Sequence, residues 1–85
     1  MFTAKILIVE DDHELLEALS DTLSQAGYEV ITAGDGEQAL AHLADMPVNL
    51  VVSDVQMPKM NGQQLLIHIR EQYPEIPMML MTAYG

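Results

Sequence analysis

Four carboxylates stand where they could do chemistry. Glu10, Asp11 and Asp12 follow the aliphatic run Ile6-Leu7-Ile8-Val9 without a break, and Asp54 follows Leu50-Val51-Val52-Ser53. Two like charges about 4 Å apart repel by roughly 4 kcal/mol at an effective dielectric near 20, so acids gathered in one pocket call for a cation or a proton between them. Hard carboxylate oxygens suit Mg2+, which keeps several waters and completes its octahedron with phosphate oxygens. A metal and a phosphoryl group are therefore expected together. In such a pocket Asp54 can act as a nucleophile, because a nearby divalent ion neutralises the incoming charge. The backbone carbonyl of Gln56, in a loop shaped by Pro58 and Gly62, is a further ligand candidate. Thr82, which ends a later apolar run, carries a hydroxyl that can hydrogen-bond a phosphoryl oxygen.

Each of these residues also has a plain structural use. Asp11 or Asp12 can cap a following helix, and Asp11 with Glu14 has capping-box spacing. Asp54 can serve as a turn acid, and threonine is an ordinary strand residue. His13, His42 and His68 fall on three different expected helices without a two-histidine spacing, which disfavours zinc. The seven methionines read as core filler.

The elements that must position the acids alternate along the chain. Ile6–Val9 is short, aliphatic and unalternated, as suits a strand covered on both faces. From His13 to Ala26, Leu15, Leu16, Leu19 and Leu23 recur at helical spacing, and Gly27 supplies a stop. A second strand is expected over Tyr28–Ala33, closed by Gly34-Asp35-Gly36. A helix from Glu37 carries Ala39, Leu40 and Leu43 and ends before Pro47, and Leu50-Val51-Val52 makes a third strand. Leu65, Leu66 and Ile69 mark a helix over Gln63–Gln72, and Met78–Met81 a fourth strand. The order βαβαβαβ implies a doubly wound parallel sheet with right-handed crossovers and helices on both faces. Ligands of such sheets bind beyond the carboxyl ends of the strands, where the acids fall if the first and third strands are neighbours.

Composition narrows the partners. Thirteen acidic residues against three basic ones give a formal charge of −10, which repels a phosphate backbone, so this segment is not expected to bind nucleic acid. There is no cysteine, hence no disulfide and no thiolate metal site, consistent with a reducing cytoplasm. Apolar runs are far too short for a membrane span, and the expected setting is soluble and cytoplasmic. With 85 residues, no repeat and no long linker, one domain over residues 1–85 is expected.

Taken in order, "ILIVEDD", "SDVQMPKMNG" and "MTAYG" resemble the receiver domain of bacterial two-component response regulators, notably those at the front of enhancer-binding transcription activators. The resemblance implies a flavodoxin-like fold in which Asp54 accepts a phosphoryl group from a phosphohistidine on a sensor histidine kinase. It also implies that Glu10, Asp11, Asp54 and the Gln56 carbonyl hold Mg2+, with Asp12 as the alternative if the acid pair is shifted by one. Thr82 would sense the phosphoryl group. The chain would be a phosphoacceptor in a phosphorelay rather than an enzyme, with no catalytic residue beyond Asp54. Asn61 stands where the family commonly has Asp, a mild departure.

The family fold has five strands in the order 2-1-3-4-5, and the pattern here stops after the fourth. The resemblance then implies a receiver lacking its last strand and last helices, including a phosphate-contacting lysine and an aromatic switch residue, so that switching output is impaired. An open edge on the fourth strand predicts self-association, as a dimer or by exchange of elements. The alternative is a receiver-like protein-interaction module that is not phosphorylated. A nucleotide or flavin enzyme is disfavoured because the turn after the first strand is Glu10-Asp11-Asp12-His13 rather than glycine-rich, and an aspartyl phosphatase because Gln56 stands where a second acid is wanted.

Overall fold

The computed structural model describes residues 3–57 and 60–81 of the chain. Strands β1 (Lys5–Val9), β2 (Glu29–Ala33), β3 (Leu50–Asp54) and β4 (Met78–Met81) alternate with helices α1 (His13–Gln25), α2 (Gly36–Asp45) and α3 (Gly62–Gln72). All strand pairs are parallel, and the sheet order is β2-β1-β3-β4. The doubly wound architecture expected from the sequence is thus present. Each element lies within one or two residues of its expected span.

Strand alternation splits the core in two. Leu7 and Val9 of β1 and Val51 of β3 face α2 and α3, where Ala39, Leu43, Leu65 and Ile69 close over them. Ile6 and Ile8 face the other way, against Leu16 of α1, with Leu19, Leu23, Val30, Leu50 and Val52 packed around them. Complete burial of side chains such as Leu7, Ile8 and Leu65 contributes about 1.5–3 kcal/mol each. The central strands β1 and β3 are therefore fixed from both sides, and their carboxyl ends inherit that rigidity.

The punctuation follows local chemistry. Gly27, at φ 100°, ends α1. The Tyr28 N–H bonds to the Leu23 carbonyl at 3.1 Å and the Gly27 N–H to that of Ser24 at 3.0 Å, a Schellman closure. Two expectations need correction. Leu15 points to solvent at 44% exposure, because Leu16, Leu19 and Leu23 alone make a stripe narrow enough to face the sheet. The cap of α1 is Asp12, and no capping box forms from Asp11 and Glu14. Asp12 has the extended backbone that a cap requires, and its carboxylate accepts the N–H groups of Glu14 and Leu15.

Candidate functional site

The β1–β3 register pairs Val9 with Ser53, so the residues that follow leave the same edge of the sheet side by side. Glu10 continues the line of Ile6 and Ile8, and Asp54 that of Leu50 and Val52, which places both acids on the α1 side of that edge. Glu10 is held by its backbone, whose N–H donates to the Ala33 carbonyl at 3.0 Å. Its side chain is 3% exposed, and Oε1 accepts the Asp12 N–H at 3.1 Å. Asp11 is exposed and Asp54 half-buried. Glu10, Asp11 and Asp54 each offer one carboxylate oxygen, all within 4.8 Å of one another.

Burial pushes the Glu10 carboxyl from an ordinary value of 4.5 up to about 7. The Asp12 N–H opposes that rise, while the charge of Asp54 and hydrogen bonds with the Asp11 and Asp54 side chains add to it. Burial and nearby acids both disfavour the charged form of a carboxyl, and here they act together. The donor set fits a hard divalent cation: three carboxylates converge within ligand-sharing distance, and one of them is held back from ionising by burial first and by its acidic neighbours second. Asp12, the alternative ligand, is spent on the helix cap, so the pocket takes its acids from positions 10, 11 and 54.

The loop after Asp54 is pinned close to the sheet. The Gln56 N–H donates to Asp54 Oδ1 at 3.3 Å, which puts the residue expected to lend a carbonyl in the turn beside the pocket. Ser53 is fully buried, and its hydroxyl donates to the Asp54 carbonyl at 2.9 Å with the Met57 sulfur at 4.0 Å. The Val55 N–H reaches the Met81 carbonyl at 3.0 Å, and the Gly62 N–H returns to the Val55 carbonyl at 2.9 Å. A Cβ on Gly62 would overlap the Asp54 carbonyl oxygen, so only glycine lets α3 begin this close to the strand end. Pro58 and Thr82 lie outside the described residues, as does Lys59.

Two contributors escaped the sequence reading. Asn61 caps α3, and Gln64 returns the bond in a full capping box, at 2.8 Å and 3.0 Å. The Asn61-Gly62-Gln63-Gln64 spacing carried that signal. Ser53 had none, because an alternating strand gives no hint that a buried hydroxyl will tie down the turn.

Residues 6–85 match the response regulator receiver domain family. The chain belongs to that family. Over 82 residues this receiver domain is 55% identical to the response regulator protein FleR of Pseudomonas aeruginosa, an alignment covering 96% of this chain and 17% of that protein. It superposes on the crystal structure of response regulator TrrA from Thermotoga maritima, solved in complex with Mg2+-BeF, with a TM-score of 0.93 and 34% identity, covering 98% of this chain and 72% of that one. The chemotaxis protein CheY4 of Vibrio cholerae gives a TM-score of 0.94 at 37% identity, covering 99% of this chain and 72% of that one. The receiver domain described here thus spans a small part of FleR and about seven-tenths of either solved receiver chain. No described helix is long and apolar enough to cross a membrane.

Proposed function

We propose that Asp54 is the phosphoacceptor of this receiver domain, charged by a phosphohistidine of a sensor histidine kinase, with Mg2+ held by Glu10, Asp11, Asp54 and the Gln56 carbonyl. The observation that carries this reading is the convergence of the Glu10, Asp11 and Asp54 oxygens within 4.8 Å at the carboxyl edge of the two central strands. The relative TrrA, solved with Mg2+-BeF, adds support.

In the transfer, an Asp54 oxygen attacks phosphorus and a P–O bond forms. The P–N bond of the phosphohistidine breaks, and the imidazole nitrogen keeps its electron pair. A bound Mg2+ supplies neutralising charge for the phosphoryl oxygens. Glu10 and Asp11 position that charge, and the Ser53 and Gly62 contacts hold the Asp54 backbone still while its side chain reacts. Thr82 is assigned the role of sensing the product. The domain takes one phosphoryl group and turns over nothing else, so it is a signalling switch in the cytoplasm rather than an enzyme.

Incubation with acetyl phosphate and MgCl2, followed by intact mass, tests the reading. A phosphate adduct lost in Asp54→Asn and in EDTA supports it, and an adduct that survives Asp54→Asn overturns it. The second reading, an interaction module that is not phosphorylated, draws support from the described cations. Lys5 pairs with Glu29 at 3.7 Å where β1 begins, and Arg70 sits in the last turn of α3, so neither is at the acidic edge. No adduct in the wild-type chain at saturating Mg2+ favours that reading.

The formal charge of −10 supports partners that are not nucleic acid. For the 85-residue chain alone, the outer edge of β4 has no strand partner among the described residues, and Met79 is 58% exposed. That edge supports self-association, by pairing or by exchange of elements.

A further inference from the structure

The edge of the sheet opposite the acidic pocket carries a groove of its own. It lies where β3 begins, between the carboxyl ends of α2 and α3, and encloses about 510 Å³, within the roughly 300–1,000 Å³ usual for ligand clefts. Its floor is apolar: Leu43 and Val48 are buried, and Tyr73 and Ile76 are half-buried against the same core. Its rim is anionic, since Asp45 closes α2, Glu75 follows α3, and both acids are exposed. The two helices also end here, and a helix carboxyl end carries partial negative charge. Among the described residues no basic side chain lines the groove. Lys5 pairs with Glu29 at 3.7 Å, and His42 and Arg70, in the last turns of α2 and α3, lie outside it. The Met46 N–H donates to the His42 carbonyl at 2.9 Å, the Ile76 N–H to that of Tyr73 at 3.0 Å and the Asn49 N–H to that of Lys5 at 2.8 Å, so the walls are set before any ligand arrives.

We propose that this groove docks an arginine-bearing segment of a partner protein, with an aliphatic residue beside the arginine. The guanidinium meets the Asp45 and Glu75 carboxylates, which its flat fork of donors suits, and Tyr73 adds an aromatic ring for the same cation. The aliphatic neighbour covers Leu43, Val48 and Ile76. Arginine fits better than lysine because its charge is more weakly hydrated and leaves water at less cost. Nucleic acid and anionic membrane are repelled by the same rim. Because β3 starts at this groove and ends at Asp54, an occupant here leaves the acidic edge open, and the inference stands apart from the phosphoacceptor reading.

The test titrates the isotope-labelled 85-residue chain with the end-blocked peptide Leu-Arg-Leu-Arg and follows backbone amide shifts by NMR. The expected result is saturable movement confined to the amides around Asp45, Asn49 and Glu75, with the dissociation constant raised roughly tenfold in the double variant Asp45→Lys, Glu75→Lys. Both acids are exposed, so these changes leave the core alone. The matched variant Glu17→Lys, Asp21→Lys, at two exposed positions of α1, alters net charge equally and should keep the constant within about twofold of wild type. If it weakens binding as much as the groove variant, the attraction is net charge alone and the proposal is overturned. A peptide Ser-Arg-Ser-Arg that binds as well as the leucine peptide overturns it too, because the apolar floor then plays no part. So does an absence of movement at the groove with Leu-Arg-Leu-Arg. Groove shifts that follow protein concentration without peptide, and vanish in Arg70→Glu, make a second copy the occupant and overturn the assignment to a partner.

Discussion

Asp11 and Asp12, adjacent in the chain, face different tasks. The Asp12 carboxylate accepts the Glu14 N–H at 3.0 Å and the Leu15 N–H at 3.3 Å, whereas Asp11 gives an oxygen to the cluster with Glu10 and Asp54. Asp12→Ala is therefore expected to lower stability by about 1 kcal/mol, the usual cost of losing a cap, and to leave the Mg2+ response intact. Asp11→Asn should do the reverse. At a concentration about 100 times its dissociation constant, Mg2+ should stabilise the wild-type chain by about 2.7 kcal/mol, and most of that gain should vanish in Asp11→Asn. Denaturant titrations with and without MgCl2 distinguish the two patterns.

The raised Glu10 carboxyl predicts an inverted pH dependence for the metal-free chain. A folded-state value of about 7 against an ordinary 4.5 means that the folded form holds the proton more tightly than the unfolded one. Its contribution to stability is full below about pH 4.5 and is lost as the pH rises through about 7, a change on the order of 3 kcal/mol. Without Mg2+, the pH 5.5–8 limb of the stability curve should fall, and Glu10→Gln should flatten it. With saturating Mg2+ the same limb should flatten, since the ion displaces the proton from folded Glu10 while the unfolded carboxyl is already ionised there. A metal-free curve that climbs steadily from pH 5.5 to 8 contradicts the crowded-carboxylate account.

Gly62→Ala should be costly out of proportion to its size. The added methyl meets the Asp54 carbonyl oxygen and the Val55 Cα, both backbone and both inside a hydrogen-bonded turn, so neither can retreat as a side-chain tip can. A loss of roughly 1–3 kcal/mol is expected. Phosphorylation by acetyl phosphate should also slow, because relief of the overlap moves Asp54. Equilibrium unfolding and the rate of adduct formation measure the two effects, and a variant as stable as wild type would show that the turn has slack.

The 85-residue chain should self-associate as its concentration rises. β4 offers backbone groups along its outer side, and Met79 and Leu80 add exposed apolar surface. Sedimentation velocity across a hundredfold concentration range should show a weight-average mass that increases. Met79→Lys, which places a charge on that surface, should reduce it. A compact monomer throughout would remove the edge-pairing reading.

Much of this was legible in the residues. Ile6–Val9 and Met78–Met81 read as strands because four aliphatic or apolar residues between turn signals have few other uses, and the strand-end acids marked the working edge. Leu15 misled because helical spacing gives a broad stripe, while one sheet face accommodates only part of it. The division of labour between Asp11 and Asp12 was readable only through the family resemblance, since by local pattern both are acceptable caps and only the extended backbone at Asp12 selects one. The close approach of Gly36 to Met60 was hidden, since it joins residues 24 positions apart and no local pattern encodes it.

The pairing of β1 with β3 has a consequence for assembly. Ile6 meets Leu50, and the Lys5 N–H is held by Asn49 across 44 positions, so the two segments that supply the acids are joined only by long-range pairing. A slip of one residue between these strands would turn Asp54 to the opposite face of the sheet and leave Glu10 without its neighbour. A Mg2+ ion held at the proposed site would therefore stabilise only chains whose long-range strand alignment is right.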